Sequence, residues 1–215
     1  MHRSPFVLCF ALLVSCGCSL VGIRTEETPK YQVLSSSGKF EIRTYAPQVV
    51  AQTTVKGDFE ESQKAGFKIL AGYIFGKNAR REKIQMTAPV TQAPAESEKI
   101  AMTAPVTMTS DGDGHVMTFS MPPKYTLETL PTPTDPRVKI EQVPARTFGV
   151  IRFTGLWRDE KNREKAKELV DWIVREGEYE ITSKPIFAGY NPPWTIPFLR
   201  RNEVMVELRK KKRHE

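Results

Sequence analysis

The chain carries the same nine-residue phrase twice. Lys83-Ile84-Gln85-Met86-Thr87-Ala88-Pro89-Val90-Thr91 returns sixteen residues later as Lys99-Ile100-Ala101-Met102-Thr103-Ala104-Pro105-Val106-Thr107, with eight of nine positions identical. In an extended chain side chains alternate between faces, so Ile84, Met86, Ala88 and Val90 share one face and Gln85, Thr87, Pro89 and Thr91 the other. The second copy sorts the same way, and each copy reads as a half-buried strand. A proline inside each removes one ladder hydrogen bond, which sends these segments to a sheet edge, a bulge or a barrel mouth. On the inward face stand Met86 and Met102, whose flexible thioethers serve either as ordinary core or as the wall of a pocket for a flat apolar ligand.

Around this pair the pattern of elements also repeats. Tyr31-Gln32-Val33-Leu34 and Phe40–Tyr45 alternate like strands about a Ser-Ser-Ser-Gly turn, and Gln48–Lys56 is a β-branched run. Gly57-Asp58 closes it, with Asp58 as a helix cap. A first helix is expected over Phe59–Phe75, with Phe59, Phe67, Leu70 and Ile74 buried and Gly76 ending it. After the Asp111-Gly112-Asp113-Gly114 turn, the strand His115–Met121 leads into a proline-rich connection, Pro122–Pro136. Then Val138–Glu141 and Phe148–Phe153 read as strands and Gly155-Leu156-Trp157 mirrors Gly57-Asp58-Phe59. A second helix over Glu160–Glu176 carries Ala166, Leu169, Val170 and Ile173 at i, i+3, i+4 and i+7. Lys184–Tyr190 and Glu203–Arg209 are closing strands. The expected fold is α+β: a distorted antiparallel β-barrel of two pseudo-twofold-related halves, about 98 residues apart, each flanked by one long α-helix.

Charge and cysteine placement narrow the function. The formal net charge is +7, but Arg209-Lys210-Lys211-Lys212-Arg213 supplies five of those charges. The rest is nearly balanced, so no nucleic-acid partner is expected. All three cysteines, Cys9, Cys16 and Cys18, lie in the first eighteen residues. That leaves no disulfide framework, thiolate metal site or Cys-x-x-Cys-His haem attachment in the rest of the chain. His2-Arg3 followed by the apolar stretch Phe6–Val14 reads as a signal peptide. Leu13-Val14-Ser15-Cys16 matches a bacterial lipobox, with Cys18 as a second frame. The expected organisation is 1–18 signal peptide with lipobox, 19–30 tether, 31–209 folded domain and 210–215 basic tail. The expected location is the cell envelope, facing the periplasm, held by acyl chains to the outer membrane where there is one.

Several motifs carry a family likeness. Gly76-Lys77-Asn78 leads into the paired Met-Thr-Ala-Pro-Val units. Gly189-Tyr190-Asn191-Pro192-Pro193-Trp194-Thr195 follows far downstream, then Arg200-Arg201-Asn202-Glu203-Val204. From about Tyr31 to about Leu208 the chain closely resembles the SOUL haem-binding protein family in its bacterial form. That resemblance implies the same two-half architecture and non-covalent binding of haem or another tetrapyrrole, for buffering or delivery. It also implies haem placed against the first helix, where a basic position of the family pattern corresponds to Lys64. Two methionines of that pattern correspond to Phe67 and Ala71, and a second basic position to Gly72.

The residues themselves give a compatible reading. Gly66 and Gly72 lie inside the first helix, each costing about 1 kcal/mol against alanine. Either close helix-to-sheet approach or room for a flat ligand offsets that. Lys64, Phe67 and Ala71, one turn apart, offer a cation, an aromatic plate and a small floor, which suits an acidic macrocycle. Ligation of iron is weak on paper. His2 and His214 are terminal, and His115 reads as an exposed turn residue rather than an axial ligand. Met86, Met102 and Tyr190 are the remaining candidates. The loop Tyr190–Glu203 carries Trp194, Phe198, Arg200 and Arg201 among three prolines, as a lid with basic contacts or as a pinned barrel corner. No nucleophile elbow, metal-ligand spacing or phosphate loop is present, so an enzyme is not expected; by analogy with remote relatives of the same fold, Tyr190 and Glu203 are open to recruitment for hydrolysis of a small molecule. The alternatives are an effector-binding module for another flat or cationic hydrophobic molecule, and an interaction protein with a vestigial pocket.

Overall fold

A computed structural model of the chain describes residues 27–80, 97–192 and 194–212. The signal segment with Cys16 and Cys18, and the whole first Met-Thr-Ala-Pro-Val copy with Met86, lie outside the described residues.

The strands are β1 (Tyr31–Ser37), β2 (Phe40–Tyr45) and β3 (Gln48–Lys56), followed by helix α1 (Phe59–Ile74), β4 (Asn78–Ala79), β5 (Val106–Asp111), β6 (Gly114–Ser120) and β7 (Thr132–Pro133). Then come β8 (Lys139–Val143), β9 (Arg146–Phe153), helix α2 (Asp159–Glu176), β10 (Tyr179–Ile181), β11 (Ile186–Gly189) and β12 (Asn202–Lys210). One curled antiparallel sheet runs β1-β2-β9-β12-β11-β5-β6-β3-β8, with β10 added beside β12; β4 and β7 pair separately. This is the α+β distorted barrel that the sequence calls for.

The strand order carries the internal repeat. Exchanging β2 with β8, β3 with β9, β5 with β11 and β6 with β12 turns the order from β2 to β8 into its own reverse, leaving β1 as an addition at one end. The central β5–β11 ladder, from Ile186 opposite Thr109 to Gly189 opposite Val106, is its own image under the exchange. Gly57 and Gly155 both sit at φ 116°, a conformation open to glycine, and each turns the chain into a helix. Their neighbours Phe59 and Trp157 meet edge to face with ring centroids 5.7 Å apart.

Both helices cover one face of the sheet, α1 over β3 and β6 and α2 over β9 and β12. Asp58 caps α1, accepting from the Glu61 N–H at 2.8 Å. Close packing is met by glycine on opposite partners in the two halves. On α1, a Cβ at Gly66 would stand 3.1 Å from Met117 Cβ; under α2 the glycine is on the strand, and a Cβ at Gly149 would stand 2.6 Å from Ile173 Cδ1. The main core lies between helices and sheet and includes Leu70, Ile74, Met117, Phe119, Leu169 and Val206. On the other face a second cluster forms from Tyr45, Phe148, Val150, Ala188, Tyr190 and Met205.

Two expectations need correction. Phe67 is not part of the buried stripe of α1: it is 38% exposed, and the buried residues are Phe59, Ser62, Gly66, Leu70, Tyr73 and Ile74. The second Met-Thr-Ala-Pro-Val copy is a strand only from Val106. Before that, the Ile100 N–H donates to Ile74 O at the end of α1, and Thr103 bridges to Glu27. The segment is covered from both sides, so Thr103 and Pro105 are buried along with Ile100 and Ala104, and the alternation fails. The connection 122–136 is built of turns, with the Leu130 N–H donating to Thr126 O, and of the short β7.

Candidate functional site

Helix α1 presents Lys64, Phe67 and Ala71 outward on adjacent turns. Lys64 is exposed, Ala71 half-buried, and the Phe67 ring rests on Phe119 with centroids 5.6 Å apart. An aromatic plate anchored from below and open above, next to a cation, is thus a real surface. Along the neighbouring stripe of the helix, Ala65 and Ile69 floor a groove of about 220 Å³ with Lys68, Lys77, Asp135 and Arg137 around it. The Arg137 guanidinium grips Asp135 at 3.0 and 2.7 Å and holds that carboxyl down at about 2. Gly72 is not empty space. The Lys77 stem lies across it, with Cδ 3.1 Å from where a Cβ would be, because the Lys77 N–H turns back to Gly72 O after the helix ends. The two glycines therefore have different reasons: Gly66 admits the sheet, Gly72 admits a lysine.

Met102 is half-buried against the main core. Tyr190 is elsewhere. It is buried on the opposite face of the sheet, where its hydroxyl donates to Glu203 Oε2 at 2.6 Å. Burial, and then the Glu203 charge, push its pKa well above 10. A phenolate ligand for iron is disfavoured there, so Tyr190 is not part of the α1 site. His115 is also displaced from expectation. It is half-buried in β6, edge-on to Phe59 at 5.8 Å, with Nδ1 buried and unpartnered. Among the described residues no group of three or more His, Cys, Asp or Glu is placed to hold a metal ion.

Sequence reasoning missed the most highly charged buried site. Glu203, 0% exposed, accepts from Arg43 Nη1 at 2.9 Å and Nη2 at 3.1 Å, and from Arg201 Nε at 2.8 Å and Nη2 at 2.6 Å, as well as from Tyr190. Arg43 also donates to Glu41 at 2.6 Å and to the Tyr45 hydroxyl at 3.2 Å. Its guanidinium carbon lies 4.5 Å from the Tyr31 ring centre, and that of Arg201 4.1 Å from Tyr190. Burial alone would raise the Glu203 pKa; the charge and hydrogen bonds of Arg43, then of Arg201, outweigh it and hold it below 4.5. Burial, and then Glu203, raise Tyr45 to about 12. A carboxylate ringed by tyrosines is suited to a cationic guest, but here two of the chain's own arginines fill it. The alternation of Glu41, Arg43 and Tyr45 was the available signal, since it puts all three on one face.

The loop after Tyr190 is pinned by polar groups, not by its aromatics. Arg201 N–H donates to Asn191 Oδ1, Arg200 Nε to Thr195 O, Gly155 N–H to Pro197 O and Asn202 Nδ2 to Gly155 O, all between 2.7 and 2.9 Å. Trp194 and Phe198 point outward, 63% and 70% exposed.

A curled antiparallel sheet with two symmetry-related helices on one face defines an α+β half-barrel class that several solved structures share. The chain superposes on the EcmrR C-terminal domain with a TM-score of 0.56 at 13% identity, covering 84% of this chain and 99% of that one. A hydrolase from Listeria innocua superposes with a TM-score of 0.50 at 14% identity, over 82% and 94%. At such identities these likenesses concern the fold alone. The sequence matches the SOUL heme-binding protein family over residues 26–97 and 91–207, and the chain belongs to that family. It is similar to mouse heme-binding protein 2, 31% identical over 171 residues, 78% of this chain and 77% of that protein. Human heme-binding protein 2 is 29% identical over 82% of each chain. Heme-binding protein 1 of Xenopus tropicalis is 30% identical over 77% of this chain and 81% of its own.

Proposed function

We propose that this chain binds haem or a related tetrapyrrole without covalent attachment, as a lipid-anchored envelope protein that buffers or delivers it. Membership of the SOUL heme-binding family supports tetrapyrrole binding. The observation that carries the site is the open face of α1, where Phe67 stands on Phe119 beside Lys64. Phe67 and Ala71 would take the ring, and Lys64 and Lys68 would face its carboxylates. The residues present fit the macrocycle. They offer its iron no histidine on that helix, so the bound group would supply its redox and axial chemistry with little help from the chain. Without a strong axial bond, affinity rests on ring burial and carboxylate contacts, on the order of micromolar, about −8 kcal/mol.

A binding protein is favoured over an enzyme because Tyr190 and Glu203 are held by Arg43 and Arg201. The same pairing disfavours the reading as a receptor for hydrophobic cations. Absorbance titration with haem, and with the metal-free porphyrin, tests the proposal. Binding of both means ring burial, binding of haem alone means iron ligation, and binding of neither overturns it. Mass spectrometry of the mature N-terminus tests the anchor. An acyl group on Cys16, or on Cys18, is the expected result, and an unmodified terminus beyond Cys18 overturns that part.

A further inference from the structure

Leu156, Trp194, Phe198 and Leu199 stand at one corner of the fold, 37%, 63%, 70% and 38% exposed. Single exposed apolar residues are ordinary, but four large ones on two bonded loops are a patch. The Gly155 N–H to Pro197 O bond ties the two loops together, and the Leu199 N–H to Ile196 O bond sets a single tight turn between Pro197 and Leu199. None of these bonds uses an apolar side chain, so the backbone is fixed while the side chains stand in water.

The surroundings are cationic. Arg158 is exposed at the start of α2, the Lys161 ammonium sits by Gly155, 3.0 Å from where its Cβ would be, and Arg152 is exposed on the strand leading in. None of the three has an ion pair among the described residues. Asp159 is taken by Arg163 at 2.8 Å; Glu160 stands exposed beside it. Glu27, the first of the described residues, lies at the same end of the sheet. Glu27 bridges to Thr103, three residues before Val106 pairs with Gly189, and the apolar loop begins directly after Gly189.

We propose that this corner is a membrane-seating surface. Trp194, Phe198, Leu199 and Leu156 enter the headgroup boundary of a bilayer, where an amphipathic indole is favoured, and Arg158 and Lys161 meet lipid phosphates. The proposal rests on the envelope reading for the membrane it meets. With Glu27 at the same end, an acyl anchor and this surface are two signals of the kind that make attachment stable.

The test uses the mature chain as the cell makes it, in vesicles of phosphatidylcholine with a quarter phosphatidylglycerol and brominated acyl chains. Bromine is expected to quench one component of the tryptophan fluorescence. Trp194→Ala should abolish that quenching, Phe198→Ser should reduce it several-fold, and omitting phosphatidylglycerol should weaken it. Both variants are made in a Trp157→Phe background, because Trp157 is half-buried beside Leu156 and lies within reach of bromine; Trp172, buried on the inner face of α2, is untouched. Protein that floats with the vesicles yet shows no quenching overturns the proposal while leaving the anchor standing. A dimer in solution that Trp194→Ala dissociates also overturns it, by assigning the patch to a second copy. If the terminus carries no acyl group, the anchor fails alone, and adding the same vesicles to the unanchored chain must still give the Trp194-dependent quenching.

Discussion

Arg43 and Glu203, 160 residues apart in the chain, meet through paired contacts of 2.9 and 3.1 Å across the strand that separates β2 from β12. Both side chains are essentially without solvent contact. Removing one partner of such a pair strands the other. Glu203→Ala leaves two guanidinium groups facing each other with only Glu41 for counter-charge, and is expected to cost about 3–5 kcal/mol in urea unfolding. A loss under about 1 kcal/mol would mean the cluster is open to water.

The same carboxylate sets an acid response. Its folded pKa lies below the ordinary 4.5, so its contribution to stability is fully present above that value. It is lost as pH falls through the folded pKa. The melting temperature of the wild type is therefore expected to drop more steeply below pH 4.5 than that of Glu203→Gln, so the gap between the two narrows in acid. A gap that stays constant with pH would remove Glu203 from the account.

Gly66 and Gly72 are expected to respond oppositely to alanine. At Gly66 the new methyl meets Met117 Cβ at 3.1 Å, and a Cβ moves only with its strand, so overpacking of about 1–3 kcal/mol exceeds the helix-propensity gain. At Gly72 it meets the flexible Lys77 stem, and the gain of up to about 1 kcal/mol should survive. Thermal unfolding of the two variants decides this, and equal effects would refute it.

For the ligand, Ala71→Leu should block a tetrapyrrole on α1 sterically and leave the fold intact, while Lys64→Glu should weaken binding by about 1–3 kcal/mol. The control is Lys167→Glu, an exposed position on α2. Lys165 is unsuitable, since it is largely covered and bonded to both Glu164 and Glu168 at 2.9 Å. Equal losses from Lys64→Glu and Lys167→Glu in a haem titration would indicate general electrostatics instead of a site. His115→Ala is expected to leave the haem spectrum unchanged, and loss of the spectrum would move the site to β6.

Leu70 and Leu169, each 0% exposed, hold the two helices on their halves of the sheet. Truncation of either to alanine should cost about 2–5 kcal/mol, with the two costs comparable if the halves are equivalent.

Much of this was written in the pattern of residues. β3 was legible from Gln48 to Lys56 because a β-branched run is bounded by a turn on each side. The α1 face was misjudged because it is buried at Ser62 and Gly66, positions that a hydrophobic stripe passes over, and this shifted the stripe onto Phe67. Val106 begins its strand late because Pro105 has no N–H to give the ladder. β10 is too short for periodicity to register. The Arg43–Glu203 cluster was hidden for another reason. Charged residues at outward positions of a strand normally face water, and only the curl of the whole sheet decides that these do not.

The reversed order of the strands has a consequence for how the chain came to be joined. Each half lends its second strand to the other: β2 lies on β9, and β8 lies on β3. Neither half is a finished object, and a cut in the connection between Ser120 and Lys139 would leave fragments that need each other to fill their sheets. Two copies of one ancestral half, swapping strands as a homodimer, would present this order before any linker joined them. Co-expressed as separate pieces, residues 1–123 and 124–215 should therefore find one another and rebuild the fold.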